Sequence, residues 1–258
     1  QQWQEHIDAA TSDEERWDYL VEAGESLMDT DSHASEQFLH QAVQLGQQLQ
    51  EGDSYRYIIA LTVFASFLEG KNNIQAAEET FRKAAALGAE SYHLAPRLLA
   101  KFLVRHDRRK EAFVYLESLL ETIGKSGNDY QNTSDAFILN DLGWLCLADN
   151  DTHQARPYFE RALESARSSD NGPEEYQNLT LSRYQLNLAI VEWKAGRLNH
   201  AKHWLDKVNS AYKEIGTDLK NHLDTMAAHE EFFDHPTSKN DIDLWYQDNL
   251  QQMLRTLL

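Results

Sequence analysis

A pair of small residues twelve positions apart recurs along this chain, and it limits the possible folds more than any other feature. Ala65 is followed by Ala77, Phe81 and Ala84, and Gly143 by Ala155, Phe159 and Ala162. Ala100 leads likewise to Ala112, Leu116 and Leu119, and Ala189 to Ala201, Leu205 and Val208. Ala23, Ser35, Leu39 and Ala42 keep the same offsets more loosely. A large apolar residue precedes the first small one at Phe64, Leu99, Leu142 and Leu188, while Glu22 stands there in the first unit. Antiparallel helices approach closely only where small side chains meet. The large residue four positions later fills the space toward the next helix, and the residue at i+7 returns to the same face. A helical pair patterned this way cannot bury its apolar surface alone, so successive pairs must stack.

Composition points the same way. Only 11 Gly and 4 Pro interrupt 258 residues, and the chain is rich in Glu, Gln, Ala, Leu and Lys, which favour helix. The expected fold class is all-α. Net charge is −18, from 24 Lys+Arg against 42 Asp+Glu; such a field repels nucleic acid and anionic membranes. No apolar run approaches the ~20 residues of a membrane span, and the N-terminus lacks the form of a signal peptide. A cytoplasmic location is therefore expected. The single cysteine, Cys146, excludes an internal disulfide and a cysteine-based zinc site. The start at Gln1 and the end at Thr256-Leu257-Leu258 suggest a segment of a longer parent.

The register of small and large residues resembles the tetratricopeptide repeat family. The resemblance implies a right-handed superhelix of about five helical hairpins over residues 16–215. Residues 1–15 precede the array, and residues 216–258 form a C-terminal helix and a capping or connector helix. The small residue of the second helix recurs at 35, 77, 112, 155 and 201. Those intervals exceed the family's usual ~34 residues, and they are similar to the longer-repeat arrays of kinesin light chains and bacterial regulators. The tyrosine common late in the first helix is replaced by Leu68, Leu103, Cys146 and Glu192, and the closing proline is missing.

Local signals place the boundaries. Ser12 with Glu15 forms a capping box. Turns fall at Gly70 to Asn73, Asp149 to Asp151 and Ala195 to Arg197, and Gly172-Pro173-Glu174-Glu175 reads as a loop entering a helix. Ser126 to Ser134 and His235 to Asn240 read as loops, with a helix around Thr217 to Phe233 between the array and the end. Pro157 falls inside a helix. In the last helix Ile242, Trp245, Leu250, Met253, Leu254 and Leu257 form an apolar stripe. It serves either as a cap on the fifth hairpin or as a homodimer seam through Ile242–Leu257.

In this family the first helix of each hairpin lines the groove where ligands lie. By register the resemblance nominates Arg97, Lys101 and Arg105, then Asn140 and Trp144, then Arg183, Asn187, Trp193 and Lys194 as groove residues. Cations and amides suit an acidic partner or a C-terminal carboxylate. The set loosely resembles the carboxylate clamp of co-chaperones without reproducing it; the alternative is a solvated helix face. Of the tryptophans, Trp3, Trp17, Trp204 and Trp245 fall at core positions, whereas Trp144 and Trp193 fall on the groove. Cys146 is expected to be buried and inert. Arg105, Arg108, Arg109 and Lys110 form a basic patch better suited to intramolecular ion pairs than to nucleic acid.

No catalytic constellation is expected. His229-Glu230 lacks the second His of a zinc helix, since Phe233 stands in its place. Gly124-Lys125-Ser126 lacks the first glycine of a phosphate loop, Leu119 standing there. Neither metal nor cofactor is expected. The sequence points to a non-catalytic protein–protein interaction scaffold binding a protein or peptide segment in its groove. The alternative is a sensory or regulatory domain of a larger signalling or transcription-regulating protein, dimerising through its C-terminal helix.

Overall fold

The computed structural model describes residues 2–49, 54–88, 94–126, 131–168, 174–214 and 242–257. These form twelve helices, with no strand among the described residues. In order they are α1 (Gln2–Ala9), α2 (Asp13–Ser26), α3 (Ser32–Leu49), α4 (Ser54–Gly70), α5 (Ile74–Gly88) and α6 (Leu94–Arg105). There follow α7 (Arg109–Ser126), α8 (Gln131–Ala148), α9 (Thr152–Ser168), α10 (Glu174–Lys194), α11 (Leu198–Glu214) and α12 (Ile242–Leu257). The chain divides into two compact units, Gln1–Phe102 and Leu103–Leu258.

In the N-terminal unit α2 pairs with α3 and α4 with α5. Ser12 caps α2: its Oγ accepts from the Glu15 amide at 3.1 Å, and the Glu15 carboxylate returns to the Thr11 amide at 2.7 Å. One orphan donor of the first turn and the amide preceding the cap are thereby met. Trp17, Leu20 and Val21 bury one face of α2 with Ile7, Ala42 and Ala60. Tyr57, Ile58 and Leu61 of α4 close over Ala84 and Ala95. In the first hairpin Gly24, next to the fully buried Ala23 of the register, makes a close approach. A Cβ there would lie 2.4 Å from Leu39 Cδ2, and Ser35 Oγ donates to the Gly24 carbonyl at 2.7 Å.

In the C-terminal unit α8 packs on α9, α10 on α11, α9 on α10 and α7 on α8. Gly143 faces Phe159, whose ring leaves no room for a side chain. Pro157 lies within α9, which continues through it. Tyr158 Oη donates to Glu117 Oε1 at 2.9 Å, tying α9 to α7. Two residues of the basic patch form ion pairs, Arg108 with Glu111 at 2.8 Å and Arg109 with Asp149 at 2.9 Å.

The register reappears in the backbone of the turns. The amides of Asn73, Arg108, Asp151 and Arg197 donate to the carbonyls of Leu68, Leu103, Cys146 and Glu192 at 2.8 to 2.9 Å. The same four residues then accept from Ala77, Ala112, Ala155 and Ala201, opening the second helices. Each turn carries one residue at positive φ: Asn72 (59°), Asp107 (60°), Asn150 (59°) and Gly196 (74°). This six-to-one closure satisfies carbonyls that the helix end leaves unmet. The first hairpin has no positive-φ residue in its turn and passes through Leu27 at φ −101°.

Some boundaries differ from expectation. The stretch Ser126 to Ser134 is shorter as a connection, because Ser126 ends α7 and α8 begins at Gln131. Residues 1–15 contain α1 and the start of α2. The helix expected at Thr217 to Phe233 and the loop at His235 to Asn240 lie outside the described residues, as does most of the loop before Glu174.

Candidate functional site

The expected groove residues distribute over both units. Arg97 and Lys101 are half-buried on α6 in the N-terminal unit; the rest belong to the C-terminal unit. Arg105 is buried at the end of α6, and Trp193 is half-buried on α10. On α8 and α10 the structure brings several of the others together. Asn187 Nδ2 donates to Asn140 Oδ1, joining the two first helices through buried amides. Asn187 Oδ1 has no donor among the described residues, a vacancy that costs about 1–3 kcal/mol in a buried acceptor.

The wall of α8 and α10 is occupied. Helix α12 packs on these two helices. Tyr246 meets Trp144 edge-on with ring centroids 5.7 Å apart, and the Arg183 guanidinium lies 5.9 Å from the Tyr246 ring centre. Arg109 stands 6.0 Å from the ring of Trp245. Aromatic edges and cations over ring faces are attractive through the ring quadrupole. Asn140, Trp144 and Asn187 are therefore covered, where an open wall was expected. Ile242, Tyr246, Leu250 and Met253 form the buried stripe of α12. Trp245, Leu254 and Leu257 are half-buried beside it, so Trp245 is not a core residue. The buried line runs through Tyr246, which the expected stripe did not include, because its spacing of four from both Ile242 and Leu250 puts it on that face.

A cavity of about 260 Å³ remains beside α12, lined by Trp144, Leu147 and Lys194 on one side and Trp245 and Asn249 on the other. Desolvation there holds the Lys194 ammonium below its ordinary pKa. Beyond this wall, Glu192 is a buried carboxylate at the end of α10. Arg156 Nη1 reaches it at 3.2 Å, Arg197 Nε bonds its other oxygen, and His200 Nδ1 lies 3.6 Å away. It stands at the position where the family pattern has tyrosine, and it ties α9, α10 and the start of α11. Cys146, at the equivalent position of the preceding hairpin, is buried. Burial first, then Asp151, Asp149 and Glu117, push its thiol up to about 12. No group of acidic, histidine and cysteine side chains among the described residues could hold a metal, and no helix of the described residues is long and apolar enough to cross a membrane.

Residues 138–169, which comprise most of α8 and all of α9, match the tetratricopeptide repeat. No curated protein matches the chain in sequence. Among solved structures it is similar to BtubC (BKLC) from P. vanneervenii, with a TM-score of 0.61 and 22% identity over 83% of this chain and 92% of that one. It is also similar to the nearly identical TPR-like repeats assigned to a kinesin light chain of Podosopora anserina (TM-score 0.54, 16% identity, covering 78% and 96%). A third likeness is to PilF of Pseudomonas aeruginosa (0.52, 16%, covering 95% and 91%). At these identities the likeness is one of fold. The fold is that of tetratricopeptide-repeat proteins, and the α8–α9 hairpin is itself a tetratricopeptide repeat.

Proposed function

We propose that the chain is a non-catalytic protein–protein interaction module that holds a segment of a partner against the first helices α8 and α10. One observation carries this reading: the wall already holds a peptide segment, α12, through Trp144 and Arg183. Arg183 and Lys194 beside that wall favour a segment with acidic groups, in a chain whose own net charge is −18. Tetratricopeptide arrays generally serve as interaction scaffolds, which agrees with this use. Affinity capture with the full chain tests it. Arg183→Glu should release the bound proteins, while Arg161→Glu, on an exposed position of α9, should retain them. Identical captured sets from the two variants would refute the assignment.

A further inference from the structure

We propose that the α8–α10 wall is a site for an amphipathic partner helix, and that α12 is its resident competitor, which the partner must displace. The proposal rests on the reading above and adds the class of partner. Helix α12 is part of none of the hairpins, and residues 215–241 lie between it and α11 in the sequence. It is also held by a different kind of contact. The hairpins close by interdigitation at Gly143 and Phe159 or Gly24 and Leu39. The Tyr246 anchor of α12 instead lies edge-on to Trp144 and under the Arg183 guanidinium. Aromatic anchors met by Trp and Arg are the usual hot spots of reversible interfaces.

The supporting wall carries buried amides: Asn140 and Asn187 lie one helical turn from Trp144 and Arg183, and Asn187 Oδ1 has no hydrogen-bond partner among the described residues. Polar groups at a buried face cost desolvation, which weakens a lid that never leaves but suits a face that is sometimes wet. The resident helix also specifies its rival. Anchors at Ile242, Tyr246, Leu250 and Met253 follow a spacing of four, four and three, the pattern of a helix laid in a groove. A partner helix needs that spacing, with an aromatic at the second anchor to enter between Trp144 and Arg183. Because α12 is tethered, it competes at a high effective concentration, so the free site opens only to a tighter ligand or when α12 is loosened.

The test uses a fluorescein-labelled synthetic peptide of residues 240–258 and the full chain, wild type and Tyr246→Ala/Met253→Ala. Removing two buried anchors weakens docking of the resident helix. The peptide should therefore bind the double variant at least about tenfold more tightly than the wild type by fluorescence anisotropy, and adding Arg183→Ala should abolish that gain. Circular dichroism checks that α8 and α10 remain folded, and Tyr246→Ala alone serves if the double variant does not fold. Equal binding to both chains, lost with Arg183→Ala, would overturn the competition and leave the helix site standing. Binding to neither folded chain would overturn the site as well. A wild-type dimer in light scattering that dissociates on Tyr246→Ala would show α12 exchanged between copies, and would overturn the competition within one chain.

Discussion

Substituting Gly143 by Ala sets two opposed effects against each other at the tightest contact of the C-terminal unit. In a helix interior Ala is favoured over Gly by about 1 kcal/mol. Against this, a Cβ at position 143 would lie 2.5, 2.7 and 2.8 Å from three carbons of the Phe159 ring. Carbon atoms prefer about 3.5–4.0 Å, so the ring would have to retreat by about 1 Å. It cannot do so freely, because Phe159 is fully buried and meets Trp144 edge-on at 5.7 Å. Overpacking of this kind costs about 1–3 kcal/mol, and the fixed ring places the site at the upper end. A net loss of about 2 kcal/mol is expected, read as a lower urea midpoint with unchanged slope. Gly70→Ala is the control, since a Cβ there meets nothing within 4 Å and should be neutral or slightly stabilising. Phe159→Leu should relieve the clash, so the double variant should lose less than the two single losses together. Stability of Gly143→Ala at or above wild type would refute the reasoning, as would simple additivity with Phe159→Leu.

Three further expectations come from the same structure. Glu192→Gln should cost about 1–2 kcal/mol, because Arg156 and Arg197 remain partly hydrated, whereas Arg156→Met with Arg197→Met should cost about 3 kcal/mol by stranding a buried carboxylate; urea denaturation of both decides the order. Asn72→Ala and Gly196→Ala should each lose about 1 kcal/mol at positive φ, with Asn72→Gly neutral or better, as thermal melts would show. Cys146 and Tyr158 are both raised to about 12, from 9.0 and 10.0, chiefly by burial. The fold therefore prefers their protonated forms. That stabilisation is complete below the unfolded pKa values and is lost as pH rises toward about 12, so urea midpoints should fall from about pH 9 upward and fall less for Cys146→Ala/Tyr158→Phe.

The hairpins were legible in the sequence because their packing depends on residue size at fixed spacing. Ala65, Ala77, Gly143 and Ala155 are all buried, as the register implies, and Gly143 meets Phe159 at a close approach. In the first hairpin Ala23 and Ser35 are fully buried, as the register implies, and Gly24 beside Ala23 meets Leu39. The candidate site was less legible. Register marked Trp144 and Arg183 as groove residues, but no local pattern says which distant segment covers them. Residues 215–241 carry no repeat to count through, and the expected stripe ran through Trp245 where the buried line runs through Tyr246. The ionic role of Glu192 was missed for another reason. It was noted as a departure from the family's tyrosine, while its partners Arg156 and Arg197 come from α9 and from the following turn.

The recurring turn bond has a consequence for how such a chain can diversify. At Leu68, Leu103, Cys146 and Glu192 the turn itself uses the carbonyl oxygen, while the four buried side chains are as unlike as a leucine, a thiol and a carboxylate. The closing bond is thus kept in four hairpins while the buried chemistry beside it changes. Glu192 is one such change, a charge installed where its neighbours are greasy.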